Sequence, residues 1–303
     1  MKKDLTKLMD FAKEDIVQIL DLADKLKQER KRAIEHKVLA GKSLAMIFGK
    51  PSTRTRVSFE AGIYQLGGQA MFLSSTDLQI GRGEPIKDTA RVLSRYIDGI
   101  MIRTSSHAEV EELAKWASVP VINGLTDFAH PCQALADLMT IREYKGGLEG
   151  VRLSYIGDGN NMCNSLIVGG LTCGMIVSVA APKGYEPDSV ILEFTKKYPG
   201  NFILTHEPKE AADKADVLYT DVWSSMGQEA EVLERKKVFD KFQINNELLS
   251  NADSKAIVLH CLPAKRGEEI TDEVVEAHAD SIFDEAENRL HAQKAVMALL
   301  MGR

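Results

Sequence analysis

LAMIFGKPSTRTRVSFEAGIYQLGGQAMFL, residues 44–73, contains an apolar run, a basic polar turn, a helical pattern and a second apolar run, in that order. The spacing predicts a buried strand over 44–48 and a helix over 57–66, stopped by Gly67 and Gly68, then a strand over 70–73. The same alternation continues outward. Apolar runs at 99–102 and 119–122 read as strands, Pro85 can open one helix, and Ser106 with Glu109 has the spacing of a capping box. Upstream, residues 13–31 put Ile16, Ile19, Leu20, Ala23 and Leu26 on one face with charges opposite, which is the pattern of an amphipathic helix.

After a helical stretch at 131–144 and the sequence Lys145, Gly146, Gly147, strands are expected over 153–156, 176–180, 202–204, 217–219 and 256–259. The last segment, 286–300, reads as a helix with no strand after it. The expected fold is α/β, with two doubly wound domains of mostly parallel sheet joined by long helices. The expected division is residues 1–145, braced by a C-terminal helix at 286–303, and residues 146–285. A length of 303 residues suits two domains of this kind.

Composition narrows the function classes. Apolar residues make up 44% and charged ones 27%, the proportions of a globular chain with an ordinary core. A net charge of −6 disfavours nucleic acid and acidic membrane surfaces as partners. Cys132, Cys163, Cys173 and Cys261 form no CxxC pair, which fits neither a zinc site nor a disulfide framework. The start of the chain lacks an apolar leader region, and no apolar run approaches a membrane span, so the cytoplasm is the expected compartment.

In doubly wound sheets ligands bind beyond the carboxyl ends of the strands, and here those positions are strongly polar. Lys50 to Arg56 offer hydroxyls, backbone N–H groups at a helix start and two arginines, Arg54 and Arg56. Cations at a helix N-terminus oppose its dipole, so the pair suggests a bound anion such as phosphate. His130 and Gln133 project near the start of the next helix and could donate to an oxygen that gains charge, while Cys132 reads as packing. Gly157, Asp158, Gly159, Asn160 and Asn161 form a βα turn without the GxGxxG fingerprint of dinucleotide sites, which argues against a nicotinamide dehydrogenase. Asp221 suits an amine and is followed by a Ser- and Gly-containing loop; His260 and Cys261 would lie beside it if their strands are neighbours. A non-catalytic anion-binding protein remains as a rival at this point.

Five segments in this order, KPSTRTRVSFE at 50–60, HPCQALADL at 130–138, GDGNN at 157–161, DVWSSMG at 221–227 and HCLPAKRG at 260–267, resemble the signatures of the aspartate/ornithine transcarbamoylase family over nearly the whole chain. The STRTR and HPxQ elements imply carbamoyl phosphate, and the DxxxSMG and HCLP elements imply ornithine as acceptor. The implied reaction moves the carbamoyl group to the δ-amine of L-ornithine and yields L-citrulline and phosphate. Putrescine and acetylornithine are the alternative acceptors, and no metal or cofactor is implied.

By this resemblance Ser52, Thr53, Arg54 and Thr55 hold the phosphate, and Arg103, His130, Gln133 and Arg289 surround the carbamoyl end. Gln79 reaches a neighbouring subunit's site in a homotrimer. Asn161, Asp221, Ser225 and Met226 bind ornithine, while Cys261 and Leu262 lie near the reacting amine, in contact with carbamoyl phosphate as well. Arg54, Arg103, His130 and Cys261 are the residues expected to act on the reacting groups. Gly49 and Lys265 depart from the familiar pattern, and neither is an expected ligand.

Overall fold

The structure, a computed structural model, describes residues 2–76, 78–79, 83–224 and 231–302. The chain divides into two compact units, Met1–Ala136 with Asn288–Arg303, and Asp137–Glu287.

In the first unit, α1 (Lys13–Lys31) buries Ile16, Ile19, Leu20, Ala23 and Leu26, the face expected from their spacing. Next come β1 (Ser43–Phe48), α2 (Thr53–Gln65), β2 (Gln69–Ser74), α3 (Ile86–Leu93), β3 (Gly99–Arg103), α4 (His107–Trp116) and β4 (Val121–Leu125). The strands form one parallel sheet in the order β2-β1-β3-β4. β1 and β3 are buried almost throughout, whereas the edge strand β2 leaves Met71 and Phe72 exposed. One side of the sheet packs Ala45, Ile47, Ile100 and Ile102 against Ala90, Val110 and Leu113 of the helices. Each isoleucine, valine and leucine among them contributes about 1.5–3 kcal/mol by leaving water.

The second unit contains β5 (Arg152–Ile156), α6 (Asn161–Thr172), β6 (Ile176–Ala180), α7 (Ser189–Thr195), β7 (Phe202–Thr205), α8 (Pro208–Ala212), β8 (Val217–Thr220), α9 (Val232–Phe239), α10 (Asn246–Leu249), β9 (Ile257–His260) and α11 (Asp272–Ala277). Its sheet is also parallel, in the order β7-β6-β5-β8-β9. Its core gathers Ile156, Leu218 and Val258 from the strands with Trp223, Phe239, Val274 and Ile282. Before β5 the chain forms α5 (Pro131–Lys145), and after α11 it forms α12 (Ala279–Met301). The division between the units falls inside both of these helices, between Ala136 and Asp137 and between Glu287 and Asn288.

Several local expectations shift. β4 begins at Val121 because Pro120 cannot donate to the ladder, and a bulge between Ile102 and Arg103 carries its register on to Leu125. Ser106 is the N-cap of α4 but makes no side-chain cap bond, so the expected capping box is absent. Glu109 instead accepts the Thr104 hydroxyl at 2.6 Å. α12 begins at Ala279, ahead of residue 286, because Asp280, Asp284 and Glu285 interrupt the apolar spacing without interrupting the helix.

Candidate active site

Both sheets reverse strand order once, and those reversals locate the candidate groups. In the first sheet the reversal lies between β1 and β3, whose carboxyl ends lead into the turn at 49–52 and end on Arg103. In the second it lies between β5 and β8, which lead into Gly157–Asn161 and Asp221. Such reversals leave a crevice where two loops part to opposite sides of a sheet.

In the first unit, Ser52 caps α2, its hydroxyl oxygen accepting the Thr55 N–H at 3.2 Å. Thr55 is buried, and three donors converge on its hydroxyl oxygen: Ser52 Oγ at 3.1 Å, Arg289 Nη2 at 3.4 Å and Arg103 Nη1 at 3.5 Å. Three donors thus point at one hydroxyl oxygen, which has two lone pairs, and all three distances are long. Arg289 also donates to Gln133 Oε1 at 2.6 Å. Thr53 and Arg54 lie exposed in the first turn of α2. Arg56, counted with Arg54 in the sequence argument for an anion, has partners of its own: it pairs with Glu60 at 3.0 Å and stacks over Phe72 at 3.8 Å.

His130 immediately precedes α5, in a turn where Thr126 N–H donates to the Ala129 carbonyl at 2.9 Å. It is buried; loss of hydration, then Arg289 and Arg103, hold its imidazole well below the ordinary value, so the ring is neutral. Burial pushes the Cys132 thiol up to about 12 and its Sγ faces the Asn123 carbonyl at 3.5 Å, in keeping with a packing role. Gln79 is exposed.

In the second unit, Gly157 takes φ 140° as the chain leaves β5, and a Cβ on Gly159 would lie 2.3 Å from the Glu186 carbonyl carbon. Asn160 then caps α6, accepting the Met162 and Cys163 N–H groups at 2.9 and 3.2 Å. Its amide donates to Asp221 Oδ2 at 2.8 Å. Asn160 therefore aims the carboxylate, a role that its place in the βα turn did not reveal from sequence. Asn161 is the first residue of α6.

β8 and β9 are neighbours, with Thr220 opposite His260, so the adjacency assumed from sequence is found. Cys261 Sγ donates to Asp221 Oδ1 at 3.0 Å. Burial, with Asp221 beside it, holds the thiol well above its ordinary value, so Cys261 is an S–H donor rather than a thiolate. Leu262 follows in the left-handed region at φ 55°, its N–H donating to His260 Nδ1 at 2.9 Å. The other ring nitrogen of His260 donates to Glu269 at 3.0 Å, and Glu269 also accepts the Lys265 N–H at 2.6 Å. Asp221, His260 and Cys261 bring potential metal-ligating atoms within 4.8 Å of one another. Both His260 nitrogens are already committed, so the ring ligates a metal only by giving up the turn it holds. Ser225 and Met226 lie outside the described residues.

Arg235 on α9 is a further residue that the sequence did not point out. It is buried, donates to the Trp223 carbonyl at 2.6 Å, pairs with Asp158 of the βα turn and packs over Tyr185 and Phe239. It thus ties α9 to Trp223, which follows β8, and to the turn after β5. Burial, opposed by Arg235, raises the Asp158 carboxyl to about 6.

Residues 3–143 match the model of the aspartate/ornithine carbamoyltransferase carbamoyl-P binding domain, and residues 149–300 match the Asp/Orn binding domain of the same family. An ornithine carbamoyltransferase of Carboxydothermus hydrogenoformans is 57% identical over 99% of this chain and 98% of its own length. The structure of ornithine carbamoyltransferase from Pyrococcus furiosus superposes with a TM-score of 0.94 at 54% identity, covering 99% of this chain and 97% of that one. An anabolic ornithine carbamoyltransferase from Campylobacter jejuni gives 0.93 at 44% identity and 99% coverage of both chains. With both domain models matched in order and full-length relatives above 50% identity, this chain belongs to the aspartate/ornithine carbamoyltransferase family.

Proposed function

We propose that the protein transfers the carbamoyl group of carbamoyl phosphate to the δ-amine of L-ornithine, giving L-citrulline and phosphate. The observation that carries this reading is the contrast between the half-sites: Arg103 and Arg289 converge on Thr55 in one, and Cys261 with Asn160 orients the Asp221 carboxylate in the other.

In this reading Ser52, Thr53, Arg54 and Thr55 hold the phosphate through the helix start and their side chains. Arg103, Arg289, Gln133 and His130 surround the carbamoyl group. The amine nitrogen attacks the carbamoyl carbon, a C–N bond forms, and the bond from that carbon to the phosphate oxygen breaks with its electron pair leaving on phosphate. Neutral His130 donates an N–H to the carbonyl oxygen as charge grows there, and Arg54 with the other arginines offsets charge on the leaving group. Asp221, with Cys261 and Leu262 beside it, orients the amine, and the departing phosphate takes the amine proton. Asn161, Ser225 and Met226 hold the amino-acid end of ornithine. An alkylammonium is mostly protonated at neutral pH, with a reference value of about 10.4, so the neutral amine is a minor species that cationic surroundings favour.

The acceptor half supports an amine over a second carboxylate. Asp221 is itself an acid, and the thiol beside it is neutral. We further propose a homotrimer in which Gln79 serves a neighbouring subunit, supported by the exposure of Gln79 and of Met71 and Phe72 on the edge strand. Among the described residues, no helix is long and apolar enough to cross a membrane, and the four cysteines are free thiols, which suits the reducing cytoplasm. Incubation with carbamoyl phosphate and L-ornithine tests the reading. Citrulline and phosphate should form in equal amounts, and phosphate release without citrulline would refute it.

A further inference from the structure

β4 ends at Leu125 and α5 starts at Pro131, so the turn at 126–129 delivers His130 to the start of the helix. Every residue of that turn is held. Thr126 is fully buried, and its hydroxyl oxygen accepts the Ala129 N–H at 3.2 Å while it faces Nδ1 of His107, the first residue of α4, at 3.0 Å. Asp127 donates its N–H to the Ser105 carbonyl at 2.9 Å, and its carboxylate pairs with Lys50 at 2.9 Å. The Phe128 ring packs on the His107 ring, with centroids 5.0 Å apart. The Ala129 carbonyl accepts the Thr126 N–H at 2.9 Å, and the buried Asn123 amide, which donates to the Thr6 carbonyl at 2.8 Å, reaches it at 3.4 Å.

The Ala129 carbonyl belongs to the peptide group that joins Ala129 to His130. The carbonyl of His130 itself accepts the Gln133 and Ala134 N–H groups, each at 3.2 Å. Both peptide groups that flank His130 are therefore fixed, and the direction in which its backbone presents the ring follows from them.

We propose that Thr126 is a positioning residue for His130, its side chain closing the turn from within while His107 backs it from α4. The inference rests on the reading of His130 as the donor to the carbonyl oxygen of the carbamoyl group.

A donor to a developing oxyanion acts over a narrow range, about 2.7–3.1 Å, and a misplacement of about 1 Å can cost about 10²-fold in rate. A hydroxyl suits the place of Thr126. It accepts the Ala129 N–H and still has a proton to turn toward His107 Nδ1 or toward the Ala129 carbonyl, 3.4 Å away. A methyl group in its place takes the acceptor from a buried backbone N–H, and the turn gives way one residue before His130. Because the bond from His130 strengthens as charge grows on the oxygen, the loss should fall on kcat rather than on KM.

Thr126→Val removes the hydroxyl at nearly constant shape, and Thr126→Ser keeps it. In the full-length enzyme Thr126→Val should lower kcat about tenfold or more, with KM for either substrate changed by less than about twofold. Thr126→Ser should recover most of that loss. In a His130→Asn background the same Thr126→Val change should alter kcat by less than about twofold, because the two residues act as a unit. In spectra of protein labelled with 15N-histidine, the ring signals that His130→Asn removes should move in Thr126→Val and stay in place in Thr126→Ser. If Thr126→Val fails to fold, His107→Phe takes its place: it keeps a ring against Phe128, removes the nitrogen that faces Thr126, and should move the same ring signals. A Ser variant as impaired as the Val variant, an equal loss in the His130→Asn background, or unmoved His130 signals would overturn the proposal. Absence of citrulline from the wild-type enzyme would refute the transferase reading instead, leaving the ring signals to decide the positioning by themselves.

Discussion

The Arg289 guanidinium donates to the Gln133 side-chain oxygen at 2.6 Å, joining residues 156 positions apart in the chain. This bond, with the longer one from Arg289 to Thr55, joins two of the sequence motifs to α12 in one donor cluster. Lysine at 289 keeps the charge but not the planar fork. Arg289→Lys should therefore raise KM for carbamoyl phosphate by about 10–100-fold, the range for a hydrogen bond to a charged group, with KM for ornithine little changed. Initial-rate kinetics in both substrates check this.

His130 is held neutral by burial and by Arg289 and Arg103, so it can donate one N–H without first losing a proton. His130→Asn, which keeps a donor in a different place, should lower kcat by about 10²–10³-fold, as for one misplaced oxyanion donor. The folded value lies below the unfolded one of about 6.5, so the unfolded chain binds more protons as pH falls through that value. Stability contributed by this residue should thus be complete above pH of about 6.5 and decline below it. Urea titrations of wild type and His130→Asn across that window should converge at acid pH.

Much of the architecture was legible because the local signals are simple. β1, α2 and β2 follow from apolar runs divided by a capped turn and Gly67–Gly68; the strand bounds shift by one residue, while α2 begins at Thr53, four residues ahead of the expected start at 57, because the polar turn is already helical behind its Ser52 cap. The expectation of an anion at residues 50–56 came from arginines at a helix start, which are electrostatically misplaced without one. Other features depend on tertiary placement. Arg56 looked equivalent to Arg54 until Phe72 of the neighbouring strand was found beneath it. Asn160 and Arg235 take their importance from Asp221, Asp158 and Trp223, partners that no spacing rule brings together. Glu285 interrupts an apolar pattern in sequence, and only the fold shows that it accepts the His260 N–H and the Tyr219 hydroxyl.

The Asp158 carboxyl, raised to about 6, pairs with Arg235 only when ionised. Below that pH the pair is lost, and with it the tie between α9 and the Gly157–Asn161 turn, whose Asn160 orients Asp221. KM for ornithine should rise as pH falls through about 6, while KM for carbamoyl phosphate should not. Asp158→Asn should show the raised KM at every pH, with the acid limb removed. For stability the sign is opposite: the folded value exceeds the unfolded one of about 3.9, so ionising Asp158 in place costs stability as pH rises from about 4 to 6.

Cys261 is a thiol with an elevated value, donating to Asp221. Alkylation by iodoacetamide at neutral pH should be slow, because the thiolate is the reactive form. Cys261→Ser, which retains a donor, should keep more activity than Cys261→Ala. Equal losses in the two variants would mean that the bond to Asp221 does not matter.

The central claim is that the acceptor is the δ-amine of ornithine. Carbamoyl transfer with L-ornithine, L-aspartate, putrescine and acetylornithine, each at the same concentration with saturating carbamoyl phosphate, tests it most directly. The account predicts citrulline formation with a kcat/KM for ornithine at least about 100-fold above that for the other three. A comparable or higher value for any one of them would contradict it.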